Sequence, residues 1–195
     1  MCESDTFMER KGRQELVMKD VARLWPEGTQ IVLEGVLGDQ RRVQASLKWI
    51  DLEGHSVLLE PRDSGELAEA KAFHGHLGPN VVLGLRMGRI IVDRFGGEPF
   101  TYTLTSYTGD TPPISCIMDG LQLATPCTVG NGRLRIAPGG EARVAAHKNG
   151  ETLKIRVRQA IIDRIKAEYD PAHEEVLPRE FFGLADDELF EVKEG

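Results

Sequence analysis

This sequence has few cysteines, no long uninterrupted apolar run and no apolar segment in its first residues. Its 195 residues include only 3 Cys, an odd number without regular spacing, which argues against a disulfide-stapled secreted protein. The longest apolar stretch, 81–92, is interrupted by Arg86 and Arg89 and falls short of the roughly 18 residues that a membrane span needs. Residues 1–14 carry charges but no apolar core, so no secretory signal is expected. These absences predict a cytoplasmic protein that does not associate with a membrane.

Positive charge is also in deficit. The chain has 24 Lys and Arg against 31 Asp and Glu, a formal net charge of -7. An acidic surface argues against general nucleic-acid binding, because that binding depends on the neutralisation of phosphates. The hydrophobic content of 41% is sufficient for one or two compact domains.

The first part of the sequence is typical of a small antiparallel β-barrel. Residues 30–35 and 55–60 are short apolar runs, and residues 42–49 alternate apolar and polar side chains as a half-buried strand does. Turns separate these strands at a spacing of about 10 residues. Residues 61–65 have the composition of a linker. We therefore predict a β-barrel domain over residues 1–62 and a second domain over residues 66–195.

The second part mixes helices and strands, which predicts an α+β domain with a mixed or antiparallel sheet and packed helices. Apolar periodicity and capping signals predict helices at 66–73, 79–95, 115–124, 160–169 and 186–190. Strand-like patterns occur at 100–106, 133–136, 141–147 and 151–158. Asn149 and Gly150 form a strong hairpin signal between the last two strands.

His74 and His76 are the sharpest local chemical feature. Side chains at positions i and i+2 point the same way when the backbone is extended, and Gly75 between them permits unusual torsions. Neutral imidazoles that converge on one point suit zinc, iron, nickel or copper. The alternative is one buried and one exposed histidine that flank a loop without a metal.

Cys116 and Cys127 lie near the two ends of the predicted helix 115–124. Nine helical residues rise about 14 Å, so both thiols reach one metal only if the chain doubles back after the helix. A cysteine in the first helical turn is expected to have a lowered thiol pKa. Asp119 lies on the same face as Cys116, where it could orient a ligand or act as an acid–base group. Either cysteine could instead be a small buried hydrophobic residue.

Two glycine pairs indicate further features. Gly130 and Gly132 follow Cys127, where they would either let backbone amides approach an anion or make a tight turn. Gly84 and Gly88 lie four residues apart on the predicted helix 79–95. They permit close helix packing, either within the chain or across a dimer.

Three ordered motifs resemble the signatures of the FmdE family of formylmethanofuran dehydrogenase proteins. They are Phe-His-Gly-His-Leu-Gly-Pro at 73–79 leading to Leu-Gly-Leu-Arg-Met-Gly at 83–88, Cys-Ile-Met-Asp-Gly-Leu-Gln at 116–122, and Cys-Thr-Val-Gly-Asn-Gly-Arg-Leu at 127–134. The resemblance spans residues 66–169. It implies a transition-metal site built from His74, His76, Cys116 and Cys127, or from a subset with water. It also implies association with molybdenum or tungsten redox enzymes of one-carbon metabolism, in a role other than that of their catalytic chain.

The sequence departs from this family at two places. Gly78 stands where the family usually has a cysteine immediately before the proline, so one thiol ligand is missing. Many relatives also end in a cysteine-rich zinc module, and the tail of this chain contains no cysteine.

The N-terminal domain resembles the small nickel-binding accessory proteins of carbon monoxide dehydrogenase maturation, the CooT-like proteins. The resemblance lies in Met1-Cys2, in Asp-Gln-Arg-Arg-Val-Gln-Ala at 39–45 and in Ile-Asp-Leu-Glu-Gly-His at 50–55. It implies that Cys2 is a nickel-binding thiolate paired across a homodimer. The alternative is a terminal cysteine beside a structural barrel.

Together these patterns predict a two-domain α+β protein that binds a transition metal, zinc at the His/Cys site and nickel at Cys2. We interpret it as an accessory protein of one-carbon or anaerobic redox metalloenzymes. A metal carrier acting through Cys2, a small metal-dependent enzyme and a structural zinc protein remain alternatives. Both resemblances imply a homodimer, and a larger redox enzyme complex is a further expected partner.

Overall fold

A computed structural model describes residues 4–10, 13–27, 30–61 and 65–195 of the chain. Their packing forms two compact units, Met1–Ser64 and Gly65–Gly195. Each unit has a hydrophobic core of its own, as expected of domains. Residues 62–64 of the predicted linker lie outside the described residues. None of the helices within the described ranges combines the length and the apolar character that a membrane crossing requires.

The first unit is one curled sheet of six strands. They are β1 (Ser4–Arg10), β2 (Arg13–Glu27), β3 (Gln30–Gly35), β4 (Gln40–Val43), β5 (Ala45–Asp51) and β6 (Ser56–Pro61). Their order in the sheet is β4-β3-β2-β1-β6-β5. Neighbouring strands are antiparallel except β1 and β6, which run parallel. The small barrel predicted from the sequence is thus a half-barrel with one parallel pair, which the sequence pattern does not indicate.

The core of the first unit is formed by apolar side chains from five of its strands. They are Met8, Val21, Ile31, Leu33, Ala45, Val57 and Leu59. The strands β3 and β6 follow the predicted segments 30–35 and 55–60 closely, because their apolar runs are buried. By contrast, β2 fully buries only Val21 along its 15 residues. Its sequence therefore carries little of the alternation by which a strand is recognised.

The second unit contains six α-helices and five strands within the described residues. The helices are α1 (Gly65–His74), α2 (Pro79–Phe95), α3 (Ile117–Ala124), α4 (Gln159–Glu168), α5 (Val176–Gly183) and α6 (Asp186–Leu189). The strands are β7 (Thr103–Ser106), β8 (Leu134–Ile136), β9 (Arg143–Lys148), β10 (Glu151–Val157) and β11 (Phe190–Glu194). A single-turn 3₁₀ helix, Ile114–Cys116, leads into α3. Helices and strands in mixed order confirm the predicted α+β fold class.

The sheet of the second unit has the order β11-β10-β9-β7-β8. Strands β7 and β8 are parallel, and the other neighbours are antiparallel. The predicted hairpin between β9 and β10 is confirmed. Asn149 and Gly150 have φ angles of 51° and 90°, the positive values that a tight two-residue hairpin turn requires.

The helices α2 and α3 pack backbone against backbone. An ideal Cβ atom on Gly84 would lie 2.0 Å from the carbonyl oxygen of Ile117, and one on Gly120 would lie 2.1 Å from the carbonyl oxygen of Val81. On Gly88, the same atom would lie 2.4 Å from Cβ of Ala124. Of the two alternatives for Gly84 and Gly88, the structure therefore shows the contact within the chain.

The C-terminal helices are tied to α2 by one buried guanidinium group. Arg86 donates hydrogen bonds to the carbonyl oxygens of Phe181 and Phe182 at 3.2 Å and 2.5 Å, and to Asp186 at 2.5 Å. These acceptors satisfy a charge that would be costly to bury alone. The predicted helix at 186–190 is confirmed as α6, whereas α5 and β11 are additions to the sequence prediction.

Candidate functional site

His74 and His76 lie side by side where α1 ends. Their ring centroids are 4.8 Å apart, with 36° between the ring planes. Gly75 has a φ angle of 91°, and its N–H donates to the carbonyl oxygen of Lys71. Glycine adopts this left-handed conformation without steric cost and so ends the helix between the two histidines. The rings approach each other through a helix terminus rather than through the extended backbone that the sequence suggested.

Asp119 on α3 orients the His74 ring. The Nδ1 atom of His74 donates to Oδ2 of Asp119 over 2.7 Å, because an ionised carboxylate only accepts hydrogen bonds. The His74 side chain is 11% exposed, so this contact holds it in a nearly closed environment. In the neutral ring, a proton on Nδ1 leaves the lone pair of Nε2 free, and this is the form of imidazole that binds metals.

Cys116 lies at the entrance to α3, at the end of the 3₁₀ turn. Its thiol is partly buried. Burial raises the pKa of this thiol, and the negative charge of Asp119 raises it further. This direction is opposite to the lowered pKa expected from the helix N-terminus, because desolvation outweighs the backbone hydrogen bond that lowers the pKa. Burial and the charge of Asp119 both favour the protonated form of the Cys116 thiol.

Cys127 lies beyond the other end of α3, in the hydrophobic core. Its thiol donates to the carbonyl oxygen of Tyr102 at 3.5 Å, and burial raises its pKa to about 11. The eight residues of α3 rise about 12 Å between the two cysteines. The structure therefore brings His74, His76, Cys116 and Asp119 to one end of α3 and leaves Cys127 at the other end.

Gly130 and Gly132 lie in a tight turn between α3 and β8. Gly132 has a φ angle of 71°, and its N–H donates to the carbonyl oxygen of Val129 at 3.1 Å. The Gly132 amide is thus already engaged within the protein. This geometry is that of the tight turn, one of the two alternatives that the sequence left open for these glycines.

Gln122 also belongs to this region, although the sequence motifs do not mark it as a functional residue. Its side chain lies between Asp119 and the turn that contains Gly130. The spacing of Asp119 and Gln122 is three residues on one helix, which places both on the same face. That spacing is the signal by which the contact could have been found.

Gly78 lies directly against the His76 ring. An ideal Cβ on Gly78 would lie 3.0 Å from Nε2 of His76, so a side chain at position 78 would reach this imidazole. The φ angle of Gly78 is −95°, which any residue adopts. The sequence departure at Gly78 therefore lies within the candidate site.

The chemical types of these side chains fit a transition metal, because imidazole and thiolate suit zinc and nickel. These side chains do not, however, converge on one point. Among the residues that the structure describes, no group of three or more His, Cys, Asp and Glu side chains is arranged to hold a metal ion. Cys2, the predicted nickel ligand, lies outside the described residues.

Comparison with protein families places these features in a known context. Residues 73–191 match the family model described as "FmdE, Molybdenum formylmethanofuran dehydrogenase operon". The chain belongs to the FmdE family. The FmdE match begins at the residue before His74 and continues into β11, beyond residue 169 where the sequence resemblance stops. Residues 1–60 match the model described as "CO dehydrogenase accessory protein CooT", so both resemblances found in the sequence are confirmed.

Individual proteins show similarity to parts of the chain. A protein of Syntrophus aciditrophicus, described as similar to FmdE of a tungsten formylmethanofuran dehydrogenase, has a solved structure with 21% identity and a TM-score of 0.47; the match covers 66% of this chain and 69% of that one. A protein assigned as CooT in Carboxydothermus hydrogenoformans has 31% identity and a TM-score of 0.31, over 32% of this chain and 100% of that one. A protein of Archaeoglobus fulgidus assigned as an S-adenosyl-L-methionine-binding protein is 42% identical over 72 residues. That match spans 35% of this chain and 19% of the relative, so this chain spans about a fifth of the relative's length.

Proposed function

We propose that this protein is an accessory metal-binding protein of one-carbon or carbon monoxide metabolism that holds a divalent transition metal in its FmdE unit. Zinc is the expected ion, His74, His76 and Cys116 are the expected ligands, and Asp119 orients His74. The observation that carries the proposal is the 2.7 Å hydrogen bond between His74 and Asp119 beside the His76 ring. The metabolic context is supported by the two family matches, to FmdE and to CooT.

The choice of His74 as a ligand follows from its contact with Asp119. A histidine that donates from one ring nitrogen to a carboxylate is fixed in tautomer and orientation, and its other nitrogen becomes more basic. In this chain that second nitrogen is Nε2 of His74. The neighbouring ring of His76, 4.8 Å away between centroids, supplies a second imidazole beside it.

Cys116 is favoured over Cys127 as the thiol ligand. Cys127 is enclosed in the core, bonded to the Tyr102 carbonyl, with a pKa raised to about 11. Cys116 is only partly buried and lies close enough to Asp119 for the carboxylate charge to raise its pKa. A bound cation would replace the thiol proton. Its charge would then offset the repulsion between the thiolate and the Asp119 carboxylate.

The contacts of Asp119 favour a binding role over an enzymatic one. A zinc ion with an open position can act as a Lewis acid and lower the pKa of bound water. Proton transfer at such a site needs a free acid–base group. Asp119 already accepts a hydrogen bond from Nδ1–H of His74, so its carboxylate holds a ligand in place. We therefore rank an accessory or carrier protein above a small metal-dependent enzyme.

The test is the metal content of the full-length protein, purified without oxygen and without added metal. Elemental analysis of His74→Ala and Cys116→Ser should each show a reduced metal-to-protein ratio. Cys127→Ser is the matched control, because it removes a thiol at the far end of α3, and it should retain the wild-type ratio. Unchanged metal content in both His74→Ala and Cys116→Ser would overturn the proposed site.

The CooT match over residues 1–60 favours a second candidate, a nickel carrier that acts through Cys2. We infer that the Cys2 thiolate binds Ni(II), since nitrogen and thiolate donors suit this ion in a square-planar site. Nickel titration of the full chain should produce thiolate-to-nickel charge-transfer absorbance that Cys2→Ser abolishes. Equal absorbance in Cys2→Ser and wild type would exclude this carrier role, whatever the zinc content.

We further propose a homodimer in the cytoplasm, and a larger redox enzyme complex as its partner. The glycine face of α2 is occupied by α3, so a dimer must use another surface. Apolar side chains are exposed at and after the edge strand β5, including Trp49, Ile50 and Leu52. An obligate dimer would bury upwards of about 2,000 Å² in total. Light scattering that gives the mass of one chain at micromolar concentration would refute the dimer.

A further inference from the structure

A chain of hydrogen bonds connects the turn after α3 to the candidate metal ligand His74. The N–H of Val129 donates to Oε1 of Gln122 at 3.1 Å, and Nε2 of Gln122 donates to Oδ1 of Asp119 at 3.5 Å. The other carboxylate oxygen of Asp119, Oδ2, accepts from His74 at 2.7 Å. Among the described residues, the Gln122 side chain thus links the backbone amide of Val129 to the carboxylate of Asp119.

Asn131 holds together the turn in which this series of hydrogen bonds begins. Its Oδ1 atom accepts from the backbone N–H groups of Thr128 and Arg133, both at 3.0 Å. Its Nδ2 atom donates to the carbonyl oxygen of Pro126 at 2.8 Å, and its own N–H donates to Oγ1 of Thr128 at 3.0 Å. With all these bonds made, the Val129 N–H is a fixed donor against which the Gln122 amide is aligned.

We propose that Gln122 is a positioning residue, which anchors the Asp119 carboxylate to the turn 128–133 so that Oδ2 faces His74. Its effect on metal binding rests on the proposed function; its effect on the His74 ring does not. An amide suits this place because one end accepts from the Val129 N–H while the other end donates to Asp119. Two anchored oxygens restrict rotation of the carboxylate more than one does.

Two substitutions separate the two ends of the Gln122 side chain. Gln122→Glu retains an acceptor for the Val129 N–H but loses the donor to Asp119 and adds a negative charge beside it. Gln122→Met keeps a similar length and loses both bonds. The matched control is Gln159→Met, because Gln159 donates to the carboxylate of Asp163 at 2.9 Å on the exposed face of α4.

The test uses NMR of the metal-free, full-length, ¹⁵N-labelled protein. Long-range ¹H–¹⁵N spectra report which His74 ring nitrogen carries the proton, and hydrogen exchange reports the Val129 amide. In both Gln122 variants we expect the His74 nitrogen resonances to shift from their wild-type positions, because the Asp119 carboxylate that contacts Nδ1 is no longer anchored. Exchange at Val129 should accelerate in Gln122→Met and stay near the wild-type rate in Gln122→Glu.

The same variants are then titrated with Co(II) as a probe for zinc. We expect affinity about 10–100-fold below wild type in both Gln122 variants and no change in Gln159→Met. His74 resonances in both Gln122 variants that match wild type and Gln159→Met would overturn the positioning role. If wild type itself binds no Co(II), the proposed metal site fails, and the NMR comparison still decides the role of Gln122.

Discussion

Gly84 of α2 lies directly against the backbone of Ile117 at the start of α3, where an ideal Cβ would be 2.0 Å from the carbonyl oxygen of Ile117. A backbone oxygen cannot rotate away as a side chain can, so the contact sets the distance between the two helices. Asp119 immediately precedes Gly120, the glycine that makes the reciprocal contact with Val81. The close helix crossing therefore determines where the carboxylate of the candidate site lies.

Gly84→Ala is expected to destabilise the second unit by about 3 kcal/mol, because the added methyl group forces two packed backbones apart. Urea unfolding followed by circular dichroism measures the change. Gly183→Ala is the control, since an ideal Cβ on Gly183 meets nothing within 4 Å, and its effect should stay within about 0.5 kcal/mol. Similar losses in the two variants would contradict the packing role of Gly84.

Asp119→Asn is expected to weaken Co(II) and Zn(II) binding about 10–100-fold with little change in stability. The amide keeps the shape of the carboxylate but loses the negative charge that makes His74 a better ligand. Competition titrations with a metal-sensitive dye measure the affinity. Asp163→Asn, which alters the exposed Gln159–Asp163 pair on α4, should bind as wild type does. Wild-type affinity in Asp119→Asn would show that the contact with His74 has no effect on a metal.

Gly78→Cys is expected to strengthen metal binding. A Cβ at this position would lie 3.0 Å from Nε2 of His76, so the imidazole must shift slightly, and the new thiol would then lie beside the site. Co(II) loading should show stronger thiolate-to-cobalt absorption than in wild type. Gly97→Cys is the control, because the nearest atom to its ideal Cβ is Val92 Cγ1 at 4.0 Å. Equal absorption in the two variants would place position 78 outside the metal site.

Metal affinity is expected to rise with pH. Burial, followed by the charge of Asp119, raises the pKa of the Cys116 thiol, so the thiol is protonated at neutral pH and protons compete with the metal. The competition weakens as pH approaches the thiol pKa, and the affinity then levels off. Co(II) titrations between about pH 6.5 and about pH 8.5 test this. Cys116→Ser should flatten the slope and Cys127→Ser should not; equal slopes in all three proteins would rule out Cys116.

Helices and turns whose sequence signals lie within a few neighbouring residues could be predicted from the sequence. The hairpin at Asn149 and Gly150 depends on local turn chemistry, and α2 begins at the predicted Pro79 and ends before Gly96. The parallel pairing of β1 with β6 could not be predicted in this way. It joins segments about fifty residues apart, and the register of such a pair is set by tertiary packing rather than by local pattern.

The residue types of the candidate site could be predicted from local motifs, but the contacts between these residues could not. His74, His76, Cys116 and Asp119 stand out by residue type and motif order, but the His74–Asp119 contact spans 45 residues and forms only when α1 packs against α3. The direction of the Cys116 pKa shift depends on burial, which a helix-terminus argument ignores. Cys127 looks like an equally good ligand in sequence, and its burial in the core beyond the far end of α3 separates it from the histidines.

X-ray absorption spectroscopy of the zinc- or cobalt-loaded full-length protein tests the central claim most directly. The proposed site predicts histidine nitrogen and sulfur scattering at the metal, with the sulfur contribution lost in Cys116→Ser and retained in Cys127→Ser. All proteins in this measurement should also carry Cys2→Ser, so that the N-terminal thiol does not contribute to the sulfur signal. Sulfur scattering that survives Cys116→Ser in this background, or a metal without histidine nitrogen in its coordination sphere, would contradict the proposed site.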